Sequence, residues 1–296
     1  MPLMGFKKYV DIDKIFREKN PAAHKWTPKF LVNYIKRVVH EEDINRFENE
    51  NHHKFEFEYL DAALAEVNAK ITYSGLENVP KEGGCIMASN HPLGGIDGMA
   101  LIQIVGNVRK DIRFLVNDIL TRLENFGSLF VPVNKVGSNA TQNLRRIDEV
   151  YAGDNVTMIF PAGLVSRKTK GVIQDLPWNR SFIKKAVQYQ KPVIPVLVQG
   201  HLSKFFYRLS SFRKMLGIKV NIEMLYLAHE MYKLRNNITH IQIGKPIPPE
   251  TFDNSKKPEE WAECLRTYVY EMAKNPGLSF EAYAKTFIYI KPESSK

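Results

Sequence analysis

Between residues 71 and about 248 the chain repeats one pattern: a short apolar run rich in strand-forming residues, then a stretch at helical spacing. The runs are Cys85–Ala88, Ile112–Val116, Leu129–Val133, Val156–Phe160, Val193–Val198 and Ile238–Ile243, and helix-like segments at 97–105, 140–151 and 179–189 separate several of them. This alternation predicts an α/β fold with a mixed, largely parallel sheet flanked by helices, because parallel neighbours need crossover connections. Continuous apolar runs such as VIPVLV predict strands buried on both faces.

The flanks read differently. Residues 1–70 are polar and helix-favouring, with Asn20-Pro21 as a break and Thr27-Pro28 as an opening; 29–46 and 54–69 carry helical periodicity. Trp261, Leu265, Val269 and Met272 mark a helix over 258–274. Three parts are therefore expected: an N-terminal helical extension (1–70), a catalytic-type α/β domain (71–250) and a C-terminal helical segment (251–296), with only the last residues from Glu293 disordered.

Forty-two Lys and Arg against 32 Asp and Glu leave a net charge of +10. That balance points to anionic partners: nucleic acid, anionic lipid, or acidic proteins and metabolites. Cys85 and Cys264 stand far apart with no CxxC spacing, which argues against a disulfide scaffold or zinc ribbon and predicts two buried thiols. No signal-peptide pattern opens the sequence, and no stretch approaches the ~18 apolar residues of a membrane span. Contact with a membrane, if made, is expected to be peripheral. His52-His53 beside Glu48 and Glu50 lacks zinc-like pairing and reads as a solvated helix face, so no metal is expected.

The chemistry concentrates where the run CIMAS meets SNHPLGGIDGMALIQIV. A polar, glycine-rich turn sits there between a strand and a helix, at the strand end where open α/β sheets bind ligands. His91 and Asp97 lie six positions apart, so a helix beginning near Asp97 lets the carboxylate return to the imidazole. An imidazole held by a carboxylate suits deprotonation of an alcohol. Gly94 and Gly95 allow close backbone approach, and their N–H groups could face an oxyanion. Spacing alone leaves the alternative open: Asp97 as an ordinary helix N-cap and His91 as an ordinary loop histidine. Ser166 lacks a G-x-S-x-G elbow, so serine-hydrolase chemistry is not indicated.

This segment resembles the first signature of the glycerolipid and lysolipid acyltransferase superfamily, N-H-x4-D after a strand. Three further blocks follow in order: FGSLFV (126–131) resembles G-x-x-F-[IV]-x-R, IFPAGLVSRK (159–168) resembles F-P-E-G-T-R-S, and KPVIPV (191–196) resembles the final proline block. ITYSGLENVP (71–80) and IGKPI (243–247) are similar to the entering strand and closing segment. The FPAGLVSRK and HPLGGIDG forms resemble most the bacterial branch of lyso-ornithine and related amino-acid-lipid O-acyltransferases, sometimes called hemolysin-like.

The resemblance implies direct acyl transfer from a thioester, on acyl carrier protein or coenzyme A, to a lysolipid hydroxyl, with His91 as base, Asp97 orienting it, and no bound cofactor or enzyme nucleophile. It implies substrate contacts from Asn90, Gly94, Gly95, Pro161, Ala162, Gly163 and Ser166. The departures are specific. The spacing is His-x5-Asp, one residue longer than usual; Ala162 replaces Glu; Val133 and Val165 take the arginine positions. A different acceptor is therefore expected, or one held by Lys135, Arg167 and Lys168.

Residues 201–220 interleave Lys204, Arg208, Arg213, Lys214 and Lys219 with Phe205, Phe206, Tyr207, Phe212 and Met215. Basic side chains beside aromatics suit an anionic membrane surface, with contact expected from Lys204, Phe205, Phe206, Arg208, Arg213 and Lys214, and a second contact from 26–39. Equally open is a packed aromatic face with a solvated charged rim. The expected location is the cytoplasmic face of the inner membrane, with no nucleic-acid partner. Other readings are a 1-acyl-sn-glycerol-3-phosphate acyltransferase, or a non-catalytic lipid- or nucleic-acid-binding protein.

Overall fold

The computed structural model describes residues 6–19, 27–117, 120, 123–133 and 140–290. In chain order come α1 (Ile12–Lys19), α2 (Lys29–Val38), α3 (Glu41–Asn51), α4 (Glu56–Glu66), β1 (Lys70–Ser74), β2 (Cys85–Ser89), α5 (Gly95–Val105), β3 (Ile112–Val116), β4 (Phe130–Pro132) and α6 (Ala140–Ala152). Then follow β5 (Val156–Ile159), β6 (Arg167–Thr169), β7 (Val172–Gln174), α7 (Ser181–Tyr189), β8 (Val193–Val198), α8 (Lys204–Met215), α9 (Leu227–Lys233), β9 (Ile238–Ile243), α10 (Pro258–Glu271) and α11 (Phe280–Thr286). They fall into two compact units, Lys70–His201 with Ile238–Lys296, and Met1–Ala69 with Leu202–Asn237.

The larger unit is the predicted α/β layer. Seven strands run in the order β1-β9-β8-β2-β5-β3-β4. Every pairing is parallel except β8 with β9. Central strands β2 and β8 are buried at every position, which is why their sequences read as unbroken apolar runs. One core groups Ile86 and Val193 of the sheet with Phe182, Trp261, Leu265 and Phe280 from α7, α10 and α11. Helix α5 is apolar nearly all round and correspondingly buried, from Ile96 through Val105 apart from Gln103. Gly98 lets α5 lie close to β3, since a Cβ there would come within 2.6 Å of the Phe114 ring. Cys85 and Cys264 are buried as expected, and desolvation pushes both thiols up to about 12, which leaves them unreactive.

A hairpin inside the motif region was not anticipated. Strands β6 and β7 form an antiparallel hairpin within the third motif block, Arg167 opposite Gln174. Lys170 and Gly171 both take positive φ (50° and 86°), the conformation a two-residue hairpin turn requires.

In the smaller unit, the single helix expected over 29–46 is two. His40 adopts a left-handed conformation (φ 55°, ψ 45°) and separates α2 from α3. Its imidazole reaches Asp43 at 2.8 Å and His229 at 3.1 Å, contacts that hold the break. Glu48 does not belong to a solvated face: it is buried and accepts a hydrogen bond from Tyr59.

Helix α8 corrects part of the proposed lipid contact. Phe206, Tyr207, Ser210 and Arg213 are buried, at the i, i+1, i+4, i+7 positions of one inward stripe. Arg213 Nε lies 2.8 Å from Glu223 Oε2, and its Nη1 donates to Ile218 O at 2.7 Å. Phe206 and Arg213 thus cannot touch a lipid surface. Lys204, Phe205, Arg208 and Lys214 are exposed, with Phe212 and Met215 beside them in the helical projection. Trp26 lies outside the described residues. Among the described residues no helix is long and apolar enough to cross a membrane.

Candidate active site

Strand β2 ends at Ser89, and the next residues turn away from the sheet. Asn90 is buried and bridges to β8: its Oδ1 accepts from Val198 N–H at 2.7 Å and its Nδ2 donates to Val198 O at 2.9 Å. Its amide is spent on the fold rather than offered to a substrate. Four residues later the chain reaches Gly94, at φ 79° and ψ −129°, a conformation essentially open only to glycine. Gly94 is the N-cap of α5, and Gly95, exposed, is its first residue.

This geometry settles the longer spacing. Asp97 stands in the first turn of α5 and folds back over the turn that precedes it. Its Oδ2 lies 2.8 Å from His91 Nδ1, and both oxygens accept Leu93 N–H, at 3.1 and 2.9 Å. The extra glycine is absorbed by the positive-φ cap, so the two side chains still meet. Asp97 is fully buried (0% exposed), while the His91 side chain keeps 17% of its surface. Burial pushes the Asp97 carboxyl above its ordinary value, opposed by its hydrogen bond to His91, the His91 charge and the Leu93 N–H. A carboxylate acceptor at Nδ1 places the ring proton there and leaves Nε2 with its lone pair.

The third motif block supplies the rest. Phe160 stacks on the His91 ring at 4.0 Å between centroids and 15° between planes, and Phe114 meets Phe160 edge-on at 4.9 Å. Pro161 O accepts Asn179 N–H, Ala162 packs against the core, and Gly163 turns at φ 69°. Ser166 N–H donates to His91 O at 2.7 Å. Arg167 is buried, its Nη1 donating to Val165 O at 2.9 Å, whereas Lys168 is exposed. Of the three residues expected to reach for an acceptor, Lys168 is the one that stands in the open among the described residues. Lys135 lies outside the described residues.

A cleft of about 230 Å³ opens between the ends of β2 and β8, lined by Pro92, Ser166, Ile173, Val198, Gln199 and Tyr270 among others. The chain leaves β2 toward β3 on one side of it and leaves β8 toward β9 on the other, the switch point where such sheets bind ligands. Asn90 and Pro92, the neighbours of His91, both line it.

Sequence reasoning missed Asp175, just after β7. It is 3% exposed. Its Oδ1 accepts His91 N–H at 3.1 Å and Ser166 Oγ–H at 2.6 Å, and its Oδ2 accepts Trp178 Nε1–H at 2.9 Å. Tyr270, whose phenol burial pushes above its usual range, accepts the Asp175 N–H at 2.8 Å. The Asp-Leu-Pro-Trp run, polar residue then proline and indole, was the available signal.

A protein-family model described as acyltransferase matches residues 14–276. The lyso-glycine lipid O-acyltransferase of Bacteroides thetaiotaomicron is 44% identical over 264 residues, 89% of this chain and 97% of that protein. The enzyme of the same name from Phocaeicola vulgatus is 41% identical over 264 residues, again 89% of this chain and 95% of that protein. A crystal structure of a 1-acyl-sn-glycerophosphate acyltransferase from Thermotoga maritima aligns at a TM-score of 0.45 with 16% identity, covering 83% of this chain and 88% of that one. With a family match over most of its length and two relatives above 40% identity, the chain belongs to the acyltransferase family, within the glycerolipid and lysolipid superfamily, and is an enzyme of acyl transfer.

Proposed function

We propose that this enzyme moves a fatty acyl group from a thioester to the hydroxyl of a lyso-amino-acid lipid of the lyso-glycine type. The observation that carries the reading is the buried Asp97 on the Nδ1 side of a partly exposed His91. The names of the two relatives supply the acceptor class. His91 Nε2 takes the proton of the acceptor hydroxyl as its oxygen attacks the thioester carbonyl. Asp97 stabilises the imidazolium that forms. The tetrahedral intermediate then expels the thiolate, which takes the proton back from His91. Helix geometry leaves the Gly95 and Ile96 amides at the start of α5 without intrahelical acceptors, whereas Asp97 N–H donates to Gly94 O, so those two are the donors offered to the developing oxyanion. Acyl carrier protein or coenzyme A carries the acyl group, and no bound cofactor enters the steps.

An acyl-transfer assay against lyso-glycine lipid, lyso-ornithine lipid, lysophosphatidate and other lysophospholipids, with both thioester donors, tests the reading. Lyso-glycine lipid is expected to give the highest kcat/KM. Preference for lysophosphatidate would sink the acceptor assignment and favour phosphatidate synthesis.

We place the enzyme peripherally on the anionic cytoplasmic face of the inner membrane. Supporting this, α8 turns Phe205, Phe212 and Met215 outward together with Lys204, Arg208 and Lys214. In the same unit a groove of about 270 Å³ is lined by Tyr34, Arg37, Phe205, Tyr226, His229 and Lys233, with no carboxylate among its lining residues. Rings among lipid tails beside cations at the headgroups are the pattern of an interfacial element. Flotation with phosphatidylglycerol vesicles at low salt is expected to carry the protein upward, and the double substitution F212S/M215S to weaken binding roughly tenfold. Failure to float with the anionic vesicles at low salt would remove the membrane placement.

A further inference from the structure

Asp97 accounts for the His91 ring but not for its main chain. Both polar groups of the His91 peptide unit are held elsewhere: N–H by Asp175 Oδ1 and C=O by Ser166 N–H. Ser166 is itself tied to the same Asp175 oxygen through its hydroxyl. Three segments far apart in sequence thus converge on one residue: the β2–α5 turn and Ser166, just before the β6–β7 hairpin, on its carboxylate, and α10 on its main chain. The last contributes Tyr270, which accepts the Asp175 N–H, and Arg266, whose Nη1 donates to Asp175 O at 3.1 Å. Arg266 is in turn paired with Glu263, so its charge is already matched. Every side-chain contact made by Asp175 is as an acceptor, to one main-chain amide, one hydroxyl and one indole.

A buried carboxylate costs several kcal/mol unless its environment uses the charge. A hydrophobic residue would fill the same space beside Trp178 without that cost. The use on the page is His91. The imidazolium that appears during the reaction carries Asp97 on its Nδ1 side and a second buried carboxylate bound to its own peptide N–H.

We propose that Asp175 is a positioning residue for acyl transfer, a second carboxylate that fixes the His91 main chain in the attack geometry and adds its negative charge to the field in which the imidazolium forms. It acts through His91 and touches no substrate. The effect falls on the transition state and not on acceptor binding, because a positive ring exists only after proton transfer.

The proposal rests on the base role assigned to His91, and the test separates the two. The full-length enzyme is assayed with the acceptor and donor that turn over in the panel above; absence of turnover in the wild type would be a failure of the functional reading, not of this one. Asp175→Asn keeps the shape, removes the charge and turns an amide donor toward one of the three donors it faces. Its kcat is expected to fall about 10²-fold with acceptor KM within twofold. Trp178→Phe removes the contact on the other oxygen, away from His91, and is expected to lower the melting temperature while leaving kcat within twofold. In a His91→Ala background, Asp175→Asn is expected to cost nothing further. Should Asp175→Asn fail to fold by circular dichroism, Asp175→Glu is read instead, with kcat down at least tenfold. Unchanged kcat in either folded variant, a rise in KM that carries the whole loss, or equal kcat losses in Asp175→Asn and Trp178→Phe would overturn the proposal.

Discussion

His91→Ala is expected to lower kcat about 10²–10⁴-fold in the acyl-transfer assay, the range spanned by loss of a positioned general base. Acceptor binding should survive, because the ring is a partly exposed cap on Phe160 and not a core residue. Asp97→Asn is expected to approach the same loss by another route. An amide in place of the carboxylate can present its NH₂ group to Nδ1, which moves the ring proton to Nε2 and removes the lone pair the reaction uses. The Leu93 N–H would keep the amide oxygen as an acceptor, so the turn should hold. Near wild-type transfer in either variant would exclude the dyad as the base. The two substitutions combined are expected to cost little more than one, since they disable the same step.

The largest effect on stability is expected at Arg213. Its guanidinium and the Glu223 carboxylate are both buried, at 7% and 0% side-chain exposure, and meet at 2.8 Å. Arg213→Met removes the cation that faces the buried Glu223 carboxylate inside the smaller unit, where Ser210 Oγ donates to Glu223 Oε1 at 3.3 Å. The expected loss is about 3–5 kcal/mol in urea unfolding. Removing both charges, as R213M/E223M, should restore most of it, because a buried ion pair contributes little beyond cancelling its own desolvation. A single variant as stable as the wild type would mean that water reaches the pair.

Arg213 also shows where the sequence was misleading. A basic residue among aromatics reads as a surface charge, yet its spacing from Phe206 and Ser210 already places it on their stripe of the helix. Composition pointed outward and periodicity inward, and periodicity prevailed. The sheet was easier to read because burial on both faces writes itself into adjacent residues: β3 and β8 span the same residues as the apolar runs that suggested them, and β9, which alternates buried and less buried positions, matches its run as well. His91 and Asp97 were legible for a related reason, lying six residues apart within one turn. Asp175 was not, because its partners are 84 residues upstream at His91 and 95 downstream at Tyr270. Its one local mark is the Pro-Trp that follows, whose indole N–H it accepts, and that alone does not point to His91. The stacking of Phe160 on His91 was hidden for the same reason, although both belonged to recognised blocks.

The Asn90 side chain gives the first motif a meaning its wording does not suggest. The β2–β8 ladder has its last paired residues at Ser89 and Val196, where the main chain must turn away to carry His91 out of the sheet. Asn90 continues the ladder without the backbone: its carboxamide offers one acceptor and one donor to the two peptide groups of Val198, as a strand residue would. It is a surrogate peptide. Aspartate would set a carboxylate against the Val198 carbonyl, and serine cannot span both groups. The asparagine beside the histidine thus lets two neighbouring strands stay stitched together while one of them departs, and that departure makes room for a reaction between them.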